Sequence, residues 1–84
     1  MKFIIKHEMK GRMRVRLSQK RMTYEQADIL QYYLLCNESV KLAKVYDRTC
    51  DAVINYTGDR EDVIRLLQEF HYQTVEVPAD VLAT

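Results

Sequence analysis

Glycine and proline are nearly missing from this sequence, with two of the first and one of the second in 84 residues. That scarcity excludes a collagen-like repeat, a loop-rich scaffold and a disordered chain. No apolar run approaches the roughly 20 residues needed to cross a bilayer. The opening "FII" is too short for the apolar segment of a signal peptide, and Lys6 interrupts it. Cysteine is sparse too: Cys36 and Cys50 make no disulfide framework and suit a reducing, cytoplasmic setting. An excess of one charge is also lacking, since the formal net charge is only +1. The total conceals an asymmetry. Residues 1–21 carry eight Lys/Arg against Glu8 alone, a balance of +7, and the remainder carries −6. The chain as a whole is neither a uniformly basic nucleic-acid binder nor an acidic tail, but its first quarter is a concentrated positive feature.

The length fits one domain, expected over residues 1–78, with 79–84 as a tail or the start of a linker. Within it, residues 3–17 alternate. Phe3, Ile5, His7, Met9, Gly11, Met13, Val15 and Leu17 are odd-numbered, whereas Lys6, Glu8, Lys10, Arg12, Arg14 and Arg16 are even-numbered. Unbroken alternation predicts one extended, half-buried strand path with a bend or bulge at Gly11; a hairpin turning at "MKGR" is the alternative.

Thr23-x-x-Gln26 has the pattern of a capping box, and Tyr24, Ala27, Leu30 and Leu34 continue it at helical spacing to about Cys36. "VKLAKVY" (40–46) and "AVINYT" (52–57) read as a hairpin joined by "DRTC". Ala43, Val45, Ala52, Ile54 and Tyr56 should face inward. Asp59 should open a second helix that buries Val63, Leu66, Leu67 and Phe70, and "YQTVEV" (72–77) a last strand. The order β-α-β-β-α-β predicts a ferredoxin-like α+β sandwich, a four-stranded antiparallel sheet with two helices on one face. Arg12, Arg14 and Arg16 then lie on the uncovered face.

With that order in place, "HEMKGRMRVRL" resembles the H-x-x-x-G-R-x-R opening of degenerate heavy-metal-associated domains. These domains stand at the N-terminus of some bacterial heavy-metal-transporting P-type ATPases. "VKLAKVYDRTCDAVINY" is similar to the family's central hairpin, and "VIRLLQEFHYQTVEV" to its second helix and last strand. The resemblance implies a regulatory or docking N-terminal domain of such a pump, or a stand-alone relative, cytoplasmic or tethered to the inner membrane face through the pump. Metal-carrying members hold their ion with Cys-x-x-Cys between the first strand and first helix. Here that stretch is "SQKRMT" (18–23), where Lys20 and Arg21 would repel a cation. No metal or other cofactor is therefore expected. The remaining candidate ligands are His7, Cys36 and Cys50, whose spacing suits no chelate, and His7 with Met9 and Met13 for a soft ion.

No nucleophile–base constellation is present, so no enzymatic activity is expected. The basic residues Lys6, Lys10, Arg12, Arg14 and Arg16 form the expected docking face. Its candidate partners are the pump's own cytosolic domains or another acidic protein surface, and anionic lipid. Glu76 is the clearest internal counter-charge, because Asp47 and Asp51 sit near the hairpin end. "KGRMRVRL" also echoes the RNP1 pattern of single-stranded nucleic-acid binders, but its base-stacking positions are arginine or leucine. A nucleic-acid module using the basic sheet face is the alternative.

Overall fold

Odd-numbered side chains of the second strand are sealed from water while even-numbered ones reach it, and that single division organises the molecule. The structure is a computed structural model that describes residues 1–75. Its elements are β1 (Phe3–Met9), β2 (Arg12–Leu17), α1 (Tyr24–Leu35), β3 (Val40–Tyr46), β4 (Asp51–Tyr56) and α2 (Arg60–Glu69), followed by a 3-10 turn at Tyr72–Thr74. The four strands form one antiparallel sheet in the order β1-β2-β4-β3. Met13, Val15 and Leu17 of β2 join Ala52, Ile54 and Tyr56 of β4, Ala27, Leu30 and Leu34 of α1, and Val63 and Leu67 of α2 in one core. The layers are those of a ferredoxin-like α+β sandwich, with both helices packed into the same side of the sheet.

The order of elements departs from expectation at both ends. Residues 3–17 are a hairpin, not one bent strand. Met9 pairs with Arg12 across a turn made by Lys10 and Gly11. Gly11 sits at φ +79°, and a Cβ there would approach the Tyr56 carbonyl oxygen at 3.3 Å. The left-handed conformation and the close approach both call for glycine. A bulge between Ile5 and His7 then shifts the register of β1. The turn and the bulge each reverse the parity, so two reversals reproduce the alternation of a single long strand. At the other end, Tyr72–Thr74 form a 3-10 turn capped by Val75 where a strand was expected, and residues 76–77 of that expected strand lie outside the described residues, as does the 79–84 tail. β1 holds the sheet edge beside β2, which the expected order would have given to the last strand.

The helices follow their sequence signals. Thr23 accepts from the Gln26 backbone N–H at 3.0 Å while its own N–H donates to the Gln26 side chain at 3.1 Å, a complete capping box. Tyr24 is the exception in the α1 stripe, since it is exposed. Asp59 caps α2 by accepting from the Glu61 N–H. Leu66 is only partly buried, and Val63, Leu67 and Phe70 carry the packing. Phe70 lies 4.8 Å, centroid to centroid, from both Tyr33 and Tyr72. The last turn of α2 contains no basic side chain. The N-terminal ammonium of Met1 stands in, donating to the carbonyls of Gln68 (2.8 Å) and Phe70 (3.2 Å). Glu8 pairs with Arg60 at the other end of the same helix. No helix among the described residues is long and apolar enough to cross a membrane.

Candidate functional site

The side of the sheet away from the helices presents three rows, each drawn from all four strands. Ile4, Arg16, Asp51 and Tyr46 form the first, His7, Arg14, Val53 and Lys44 the second, and Met9, Arg12, Asn55 and Leu42 the third. The arginines therefore stand on the open face, as their parity requires. They are joined by residues whose parity in the sequence misleads. His7 and Met9 reach this face because of the β1 bulge, while Met13 is buried on the opposite side. A soft-ion site of His7, Met9 and Met13 is thus divided between two faces. Lys10 is at the turn rather than in the row, and Lys6 lies at the bulge. Both are exposed, so the basic residues border the face instead of extending one ladder.

Asp51 sets the electrostatics of the first row. Its residue is 2% exposed, although it begins β4 on the open side. Arg16 Nε donates to Asp51 Oδ1 at 2.8 Å, and Arg14 lies 3.2 Å from Oδ2 through one terminal nitrogen. The Arg16 hydrogen bond, helped by the charges of both arginines, holds the Asp51 carboxyl below the ordinary carboxylate range, against the opposing effect of burial. Asp51 raises Arg16 in return. The guanidiniums cover the carboxylate and remain nearly half exposed themselves, at 47% and 44%. Arg14 also lies over the Tyr46 ring at 5.7 Å, and Lys44 approaches the same ring at 5.4 Å.

Among the described residues Asp51 is therefore the counter-charge of Arg14 and Arg16, although it begins β4 near the hairpin end; Glu76, the expected counter-charge, lies outside the described residues. The signal was present in "DAVINY", because Asp51 shares the parity of Val53 and Asn55. Antiparallel pairing with β2 then sets it opposite Arg16.

The opposite end of the face is different. Arg12 has no ion pair among the described residues, and Asn55, its partner in register, has a buried Oδ1 without a donor. Ile4, Met9 and Leu42 are 56%, 55% and 48% exposed, so the face is as apolar at its margins as it is basic at its centre. His7, Met9, Arg12, Arg14 and Val53 line a hollow of about 300 Å³.

The three candidate ligands do not converge. His7 is on the open face, Cys36 is exposed at the C-terminal cap of α1, and Cys50 is buried in the β3–β4 turn, its thiol facing the Asp47 carbonyl. Among the described residues no three His, Cys, Asp or Glu side chains group to hold a metal ion. The loop containing Lys20 and Arg21 instead fastens the turn after α2: Gln19 accepts from the Tyr72 hydroxyl at 2.7 Å and donates to the Arg21 carbonyl. No family model, no curated protein and no solved structure matches the chain.

Proposed function

We propose that the chain is a docking and regulatory module that engages an acidic protein surface through its open sheet face. The observation that carries this reading is the composition of that face: an Arg12 without an acid among the described residues, beside exposed Met9, with Ile4 and Leu42 exposed at other margins of the same face. An uncovered sheet side normally carries solvated polar residues, whereas exposed methionine and large aliphatic side chains interspersed with arginine are of the kind enriched at protein interfaces. The resemblance to degenerate heavy-metal-associated domains gives the proposal its setting. The module would stand at the N-terminus of a heavy-metal-transporting P-type ATPase, or act alone as a relative, and its partner would be the pump's own cytosolic domains. No catalysis and no metal carriage are part of this role. Anionic lipid is the lesser partner. The second reading, a single-stranded nucleic-acid module, draws on Tyr46 between Arg14 and Lys44, a ring on which a base could stack.

Fluorescence anisotropy against three probes separates these readings: a glutamate-rich peptide, an oligothymidylate and phosphatidylserine vesicles. The proposal expects salt-sensitive binding of the peptide, weakened by the double substitution Arg12→Ser/Lys44→Ser. Arg14 and Arg16 are unsuitable for this test because their removal uncovers Asp51. Preference for the oligonucleotide or the vesicles, or no binding of the peptide, overturns it.

A further inference from the structure

Within the open face, the basic residues are not equivalent. Arg14 and Arg16 each turn Nε and one terminal nitrogen to Asp51, and of the two only Arg14 lines the hollow, where its other terminal nitrogen is left for a ligand. Arg12 turns no nitrogen to an acid among the described residues. It stands opposite Met9, and His7 stands opposite Arg14. Val53, only 7% exposed, lines the same hollow from β4. The hollow thus combines ring and guanidinium donors with an apolar wall of Val53 and Met9.

We infer that this hollow receives a single glutamate side chain of the docking partner, and that Arg12 is its principal anchor. The carboxylate takes the paired N–H groups of Arg12, the geometry in which an arginine binds carboxylate most strongly. His7 and the remaining terminal nitrogen of Arg14 supply further donors. The two methylenes of glutamate lie along Val53 and Met9. A volume near 300 Å³ is at the small end of ligand sites, enough for one side chain and too small for a cofactor. The inference rests on the docking role proposed above and narrows it to one anchoring contact of the kind that dominates interface energetics.

The test is an NMR titration of the 84-residue chain with acetylated, amidated peptides of one sequence that carry Glu, Gln or Asp at a single central position among uncharged residues. Inorganic phosphate is the control. The Glu peptide should shift the signals of His7, Met9, Arg12 and Val53 before those of Lys44 and Arg16. Arg12→Gln should weaken its binding at least tenfold, about 1.4 kcal/mol, and Lys44→Gln by less than about threefold, about 0.7 kcal/mol. Met9→Trp, which crowds the hollow without removing Arg12, should weaken the Glu peptide too. Equal losses for Arg12→Gln and Lys44→Gln, with the glutamate-rich peptide still bound in the anisotropy experiment, overturn the pocket and leave the docking role standing. Phosphate or the Gln peptide binding as well as the Glu peptide also overturns it. Binding of neither the single-Glu nor the glutamate-rich peptide overturns both.

Discussion

β1 and β4 flank the same central strand, yet one is almost wholly exposed and the other almost wholly buried. Both contain a run of three apolar residues: Phe3, Ile4 and Ile5 in β1, and Ala52, Val53 and Ile54 in β4. Ile54 is fully buried, whereas Ile5, which also faces the helix side, is 38% exposed. Hydrophobicity does not explain the contrast; position does. β4 lies between β2 and β3, with core residues of both helices over it and Arg14, Arg16 and Tyr46 around its outer side. β1 is an edge strand, and its bulge turns half of its length away from the helix side. A strand's sequence specifies which way its side chains alternate, but its neighbours decide whether either side is covered.

The sharpest test of that comparison is a matched pair of truncations. Ile54→Ala should cost about 2–5 kcal/mol in urea melts, the range for a buried aliphatic side chain. Ile5→Ala, chemically the same change, should cost less than about 1 kcal/mol. Equal costs would mean that β1 is covered in solution and that the contrast is wrong. Next in size is the charge at the start of β4. Asp51→Asn should cost about 1–3 kcal/mol, below the loss for a fully buried ion pair because both arginines reach solvent and are screened.

The same group has a pH signature. Its folded value is lowered, so its stabilising contribution is present above the ordinary Asp value of about 3.9 and is lost as pH falls through the lower folded value. Across that window the unfolded chain binds more protons, so wild-type stability should fall with acid. Asp51→Asn should flatten this part of the curve in melts between neutral pH and strongly acidic pH.

A smaller effect is expected at the β1–β2 turn. Gly11→Ala introduces a Cβ at φ +79° and should cost about 1–2 kcal/mol. The smallest belongs to the open face of β1. Met9→Ser and Ile4→Ser should change stability by no more than about 0.5 kcal/mol, while weakening the glutamate-rich peptide if that face docks. Stability losses comparable to that of Ile54→Ala would show that these side chains serve the fold.

Much of this was legible from residue order. The capping box at Thr23 and Gln26, the α2 cap at Asp59, the hairpin of β3 and β4, and the inward set Ala43, Ala52, Ile54 and Tyr56 follow from local patterns, because short-range chemistry fixes them. The N-terminal hairpin was not recovered as the preferred reading. Alternation is a signal of period two, and a turn plus a bulge restore that period after breaking it twice. The placement of His7 and Met9 beside the arginines was lost with it. So was the role of Asp51, whose partner lies 35 residues away and becomes visible only once β2 and β4 are in register.

The two attachments of β1 to α2 give the edge strand a character of its own. Met1 grips the last carbonyls of the helix and Glu8 grips Arg60 at its first residue, so the strand is moored at both ends with little apolar adhesion between. Moorings of charge loosen in concentrated salt, whereas the packing around β4 does not. Amide protons along β1 should therefore exchange faster as ionic strength rises, with those of β4 unmoved, making the strand an independently opening unit whose hold on the sheet is tuned by the surrounding ions.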